Sequence, residues 1–420
     1  MILLDNIVLN NGLKIFYKQL DNTHSMSFDF FVKTGVRYES RNENGISNLL
    51  GALHYRGING YDQKQLFYKM ETIGSSIQIF TYKDFMRFSM KIHPNYYKEC
   101  IDIFKNIFVT YYWDEETLEK EKKTILKQID EENRYVDIDK IVSENYYGES
   151  GLSLPIKGCY DTINQITVNQ ISDFKKHVFN RDSIAFYFSG PIRKEHIEYI
   201  KTSFSDVYFL DETIVAQNII PKNFCNRVQN LFWDYNKWDY VDVDISFDVS
   251  IKKKEIMYLD ILNCILGEGI GSKLQNVLRE KLSLVFDIKS FIEKYDLFNV
   301  LHIQYSVKKS DFMLSFQTVL NVLCAMKREI TDFDIDASLP FYRENLEFLF
   351  DDPQKYNFYY AYNSFILNNS SDICVSVLPK DIMDLAKKIF KKTNVVVTCL
   401  GDDSKVAKKE LQRMLDELEN

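Results

Sequence analysis

The chain has 420 residues, 45% of them hydrophobic and 27% charged, with a net charge of −8. That length exceeds what one core usually supports, so two domains are expected; the acidic balance argues against a nucleic-acid-binding surface, and no apolar run reaches the roughly 18 residues needed to cross a bilayer. With 27 Tyr and 31 Phe against 7 Pro, the composition favours regular structure over disorder.

Residues 7–19 read as two strands around the hairpin signal Asn10-Asn11-Gly12, and 25–33 as the next strand. Residues 45–55 form an amphipathic helix, with Ile46, Leu49, Leu50 and Leu53 at i, i+3, i+4 and i+7. A helix over 63–73 is broken by Gly74, and 75–82 with 85–92 make a strand pair turning near Lys83-Asp84. Helices follow at 95–111, 114–132 and 166–179, then a strand at 183–189 and a helix at 193–204. The order restarts near Val228, with strands at 240–248, 284–291, 299–306 and 395–400. Its helices fall at 256–266, 272–280, 312–329, 338–350 (Pro340 in the first turn) and 378–390, with one more in the tail. Each half ends in an apolar strand, a small-residue turn (Ser189-Gly190, Leu400-Gly401) and a helix. We read an internal duplication: domains 1–210 and 227–420, joined by a linker over 211–226. The fold class is α+β, two tandem similar domains, each a mostly antiparallel sheet covered by helices. The seven cysteines stand singly without CxxC spacing, and the opening Met1-Ile-Leu-Leu-Asp-Asn6 has no basic stretch before an apolar core, so a cytoplasmic, reducing location is expected.

One stretch carries chemistry by what it lacks: Gly45-Ile-Ser-Asn-Leu-Leu-Gly-Ala-Leu-His-Tyr-Arg-Gly57. It resembles the metal helix of the pitrilysin/insulinase peptidases, roughly Gly-Ile-Ala-His-Phe-Leu-Glu-His-Met-Leu-Phe-Lys-Gly. Two imidazoles at i and i+4 grip one zinc ion, and a Glu between them activates the metal-bound water. Here those positions hold Asn48, Gly51 and Ala52, while Gly45, Ile46, Leu49, Leu50, Leu53, Arg56 and Gly57 keep the frame. A third ligand, a Glu in the family's later helix, falls on Gln128 in Glu121-Lys-Lys-Thr-Ile-Leu-Lys-Gln-Ile129. No lone pair suited to zinc remains, so no metal is expected in this chain.

The resemblance extends further. Gly74-Ser-Ser-Ile-Gln-Ile-Phe-Thr-Tyr-Lys-Asp84 looks like the family's substrate-pairing edge strand, Gly-x-x-x-Asn-Ala-x-Thr-x-x-Asp, with Gln78 for Asn and Ile79 for Ala. Leu154-Pro-Ile-Lys-Gly158 resembles a family turn. Leu266-Gly-Glu-Gly-Ile-Gly-Ser-Lys-Leu and Leu278-Arg-Glu-Lys281 resemble the family's second-half motif. Arg279 falls on the family's substrate-clamping Arg, and Phe286 on its Tyr partner, with the hydroxyl gone. Read on its own, Phe286 is expected in the core.

The resemblance implies a half-clamshell fold. The pattern is similar to the non-catalytic subunit of bacterial two-subunit members, whose zinc sits in a homologous partner chain and whose substrate is an extended peptide, in some cases a leader peptide. The alternative is a peptide-binding or scaffold protein that acts without proteolysis. Other motifs fail on spacing: the 267–273 run misses the phosphate-loop pattern, Asp137-Ile-Asp139 lacks an EF-hand's Gly and Glu, and His54 with His93 lacks a third ligand.

Overall fold

The computed structural model describes residues 5–109, 111–209, 220–228, 230–369, 376–403 and 408–419. The chain forms two compact units. The first comprises Met1–Tyr135, Ser150–Ile219 and Glu347–Asn368; the second comprises Val136–Glu149, Ile220–Leu346 and Asn369–Asn420. Each unit therefore includes a segment from the other half of the chain. Of the expected linker, residues 211–219 lie outside the described residues, as does Cys374.

The strands of the first unit are β1 (Asp5–Val8), β2 (Lys14–Gln19), β3 (Met26–Val32), the short pair β4 (Gly57–Ile58) and β5 (Tyr61–Asp62), β6 (Gln78–Thr81), β7 (Met86–Ile92) and β8 (Ile184–Gly190). The main sheet runs β1-β2-β8-β3-β7-β6, antiparallel except for β2 with β8. Side chains alternate across it. Met26, Phe28, Phe30 and Val32 of β3 join Phe186, Phe188, Met86, Phe88 and Met90 in one core. The helices Tyr97–Phe108, Val168–Val178 and Lys194–Phe204 close that side. Each Phe withdrawn from water there stabilises by roughly 1.5–3 kcal/mol.

The opposite face of β3 carries Ser27, Asp29 and Phe31, yet all seven β3 residues are buried. The cover is the helix Pro353–Ala361, which begins with Asp352 capping Gln354 N–H and Pro353 in its first turn. Asn357 Nδ2 donates to Asp29 Oδ2 at 2.7 Å, and Arg87 binds the other oxygen of Asp29 and the Gln354 carbonyl. Ser189 Oγ donates to the Pro353 carbonyl at 2.9 Å.

The second unit repeats this plan. Its strands are β9 (Leu231–Asp234), β10 (Tyr240–Val249), β11 (Val285–Lys294), β12 (Asn299–Lys308) and β13 (Val395–Leu400). Read from β9, the order β9-β13-β10-β12-β11 matches β2-β8-β3-β7-β6 strand for strand, including one parallel pair, β9 with β13. The central strands even share a triplet, Ser27-Phe28-Asp29 and Ser246-Phe247-Asp248. Val241, Val243, Ile245, Phe247 and Val249 enter the core with the helices Phe312–Met326 and Pro379–Ile389. On the other face the helix Ile138–Tyr147 meets Asp248 through the Tyr146 hydroxyl, and Arg227 holds both oxygens of Asp248 at 2.7 and 2.8 Å. The Arg227 guanidinium lies 4.4 Å from the centre of the Tyr146 ring.

Pro340 departs from expectation. The helix runs Asp332–Glu347, so Pro340 sits inside it rather than in its first turn. The start is set earlier, by Thr331 and Asp334 exchanging side-chain bonds to each other's backbone N–H.

Two predictions follow from the buried polar layers. Asp29→Ala or Asp248→Ala strands a buried arginine and lowers stability by about 3–5 kcal/mol, read as a fall in the denaturant midpoint. A loss under about 1 kcal/mol in both would mean packing alone holds the helices. The second concerns His302, buried against Asp244 (3.1 Å) and stacked on Phe291, with Glu293 Oε2 3.9 Å from Nε2. Burial disfavours its charge, but Asp244, helped by Glu293 and Asp139, outweighs that and raises the pKa above the ordinary 6.5. A raised folded pKa stabilises fully below the unfolded value, and that contribution is lost as pH climbs through the folded one. The stability gap between wild type and His302→Gln should therefore shrink as pH rises above 6.5; a gap independent of pH would show a neutral imidazole.

Candidate functional site

The helix Ile46–Leu53 is seated by its first turn. Gly45 precedes it at φ +97°, and a Cβ there would fall 2.6 Å from Ile163 Cδ1 and 2.8 Å from the Lys157 carbonyl oxygen. The orphan N–H groups of Gly45 and Ser47 donate to the Glu39 carboxylate at 2.8 and 2.9 Å, and Asn44 Nδ2 adds a third bond at 2.8 Å. Burial raises the Glu39 pKa, and these donors oppose the rise. At the other end Arg56 Nε reaches Glu121 Oε2 at 2.5 Å, tying the helix to Glu115–Glu132. Glu39 and Asn44 at its start and Arg56 just past its end thus fix the helix in place.

The positions themselves hold no metal-binding set. Asn48 and Ala52 are half-buried, and Gln128 is exposed. Gly51 is buried, and its absent Cβ would lie 3.2 Å from Ile79 Cγ2 and 3.4 Å from Met86 Cε. The room for a longer side chain at 51 is filled by β6 and β7, chiefly by Ile79, where the motif quoted above has Ala. Among the described residues, no three His, Cys, Asp or Glu side chains gather as a metal would need. His54 is packed between Phe88 and Trp113, with Nδ1 2.7 Å from the Leu50 carbonyl. Burial, aided by the Lys175 charge, lowers its pKa well below 6.5. Lys175 itself is pushed down to about 7 by burial. His93 is exposed and caps Asn95 N–H.

On β6, Gln78 is exposed and accepts a 2.8 Å bond from Gln354 Nε2. Both line a polar groove of about 500 Å³ with Glu71, Gly74, Ser75, Ser76 and Lys91. Ile79 is half-buried, and its backbone N–H donates to the Tyr55 hydroxyl at 2.9 Å. Spacing along the chain carries no sign of either contact: Tyr55 and Ile79 lie 24 residues apart, and Glu39 belongs to no spacing motif.

In the second unit the two matched positions do meet. The Arg279 guanidinium lies 5.7 Å from the centre of the Phe286 ring. Phe286 is 88% exposed, which corrects the expectation of a core ring. It stands on edge strand β11 beside a break in register between Val285 and Ile288. The Arg279 side chain is 46% exposed and pairs with Glu280 at 3.6 Å. Gly267 is required by contact: a Cβ would fall 2.7 Å from Ser290 Oγ. Lys273 bonds Asp334 at 2.8 Å, in keeping with discounting a phosphate loop.

The Insulinase (Peptidase family M16) family model matches residues 14–158, and the Peptidase M16 inactive domain model matches 165–339. The chain belongs to the M16 peptidase family. It is 20% identical to the uncharacterized zinc protease YmxG of Bacillus subtilis, across 78% of this chain and 80% of that one. It is 24% identical to the β subunit of the mitochondrial-processing peptidase of Saccharomyces cerevisiae, across 47% and 44%. A protease structure from Helicobacter pylori superposes with a TM-score of 0.86 at 17% identity, covering 95% of this chain and 99% of that one. The M16 fold is thus present in both halves.

The exchange of a large residue at 51 for one at 79 predicts a coupled pair. Gly51→Glu alone should destabilise by about 1–3 kcal/mol through overpacking, and Gly51→Glu with Ile79→Ala should recover much of that loss. A double-mutant cycle by chemical denaturation reads it; additive effects would mean the two sites do not share the space.

Proposed function

We propose that this M16 chain is the non-catalytic subunit of a two-chain zinc peptidase. The zinc and its hydrolytic machinery reside in a homologous partner carrying His-x-x-Glu-His, and this chain helps enclose and orient an extended peptide. The observation that carries the reading is the first helix: its frame is kept by Glu39, Gly45, Arg56 and Glu121, while Asn48, Gly51, Ala52 and Gln128 offer nothing to a zinc ion. Arg279, exposed and laid against the Phe286 ring, is the group offered to substrate. Its guanidinium binds a peptide carbonyl or carboxylate without needing a proton of its own. The yeast relative's name describes one subunit of a processing peptidase, which supports a paired assembly. Peptide or leader processing in a reducing cytoplasm is the setting we favour. It agrees with six described cysteines that are all free.

A second reading, peptide binding without proteolysis, is favoured by Phe286, whose ring is exposed but has no hydroxyl to donate to a developing oxyanion. Purification from the native host separates the two. A stoichiometric zinc-motif partner supports the paired enzyme, and this chain alone and metal-free supports the binding protein. In the paired complex, Arg279→Ala should lower turnover by about a hundredfold while size-exclusion chromatography shows unchanged assembly. Full turnover would remove Arg279 from the mechanism.

A further inference from the structure

Strand β6 lies at the edge of its sheet and, among the described residues, pairs only with β7. Its backbone groups alternate between that partner and the open side. The bond from Tyr82 N–H to the Phe85 carbonyl closes the hairpin, so Tyr82, Phe80 and Gln78 face β7, leaving Ile77, Ile79 and Thr81 to face outward. The first outward rung is already taken. The Tyr55 hydroxyl, two residues past the helix Ile46–Leu53, accepts the Ile79 N–H at 2.9 Å and donates to the Ile77 carbonyl at 3.3 Å. One hydroxyl thereby does what the N–H and C=O of one residue of an added strand would do.

We propose that Tyr55 is a built-in plug on this edge: its hydroxyl closes the Ile77–Ile79 rung and confines strand addition by an extended peptide to the Ile79 carbonyl and Thr81. This rests on the reading that the chain receives such a peptide. The half-buried ring keeps the phenol neutral, since burial raises its pKa above 10.0, so it donates and accepts at once across the physiological range. The plug also blunts a free edge that would otherwise invite pairing with other chains. A peptide must therefore either bind in the shorter register or displace the hydroxyl and forfeit its two bonds.

Tyr55→Phe keeps the ring and removes the plug. Two measurements on the full chain test it: amide hydrogen exchange at Ile79, and binding of a short fluorescein-labelled peptide of alternating Val and Lys. In Tyr55→Phe, Ile79 exchange should accelerate and the peptide should bind about tenfold tighter, the size of one hydrogen bond. Thr81→Pro, which removes an outward N–H and leaves the β7 ladder intact, should abolish binding in both backgrounds, with circular dichroism confirming the fold. Unchanged Ile79 exchange overturns the plug directly, whatever the peptide does. Faster exchange with unchanged affinity, and binding still lost in Thr81→Pro, overturns the plug's role while the edge remains the peptide site. Binding in no variant, or binding indifferent to Thr81→Pro, overturns the peptide-accepting edge itself and the plug with it.

Discussion

A buried aspartate on the polar face of each sheet is the constraint on which both units depend. Asp29 and Asp248 lie on the polar faces of the matching central strands β3 and β10, each as the last residue of a Ser-Phe-Asp triplet. Each is saturated by an arginine and by a side chain from a helix encoded in the other half of the chain, Asn357 in one case and Tyr146 in the other. A buried charge of this kind tolerates no missing partner, so it demands that the helix arrive. The aspartate selects the covering helix by hydrogen bonding, where an apolar face would accept any greasy segment.

That demand explains how a duplicated α+β unit closes both faces of its sheet. One face is a conventional core of Phe, Val, Leu and Ile under amphipathic helices. The other is a polar layer, in which Arg87, Gln354 and Ser189 in the first unit, and Arg227 and the Asp244–His302 pair in the second, bind buried polar groups. With strands held from both sides, β6 and the helix Ile46–Leu53 pack closely enough that one methyl group decides what fits between them.

Gly51 shows the same economy of space. The room beside its missing side chain is filled by Ile79 and Met86. The adjustment reaches the edge strand, where Tyr55 binds the backbone that Ile79 exposes. In the second unit, Arg279 on the helical segment Gln275–Lys281 lies against the exposed ring of Phe286 on edge strand β11.

The sequence by itself determined the elements whose apolar residues repeat at 2 or 3.6, the hairpin at Gly12, the helix break at Gly74 and the repeat of the strand order. Those features are local, and spacing along the chain encodes them. Hidden from it were the helices Ile138–Tyr147 and Pro353–Ala361, which pack on polar faces and bind through Tyr146, Tyr147, Gln354 and Asn357. The alternation of β10, Asp242-Val-Asp-Ile-Ser-Phe-Asp248, reads as one face in water, yet Asp244, Ser246 and Asp248 are all buried. Only the tertiary structure decided what covers a polar face, whether Phe286 is inside or out, and that Tyr55 reaches Ile79. The covering helices and the Tyr55–Ile79 bond join residues far apart in the chain, and long-range pairing leaves no period in a sequence for the eye to find.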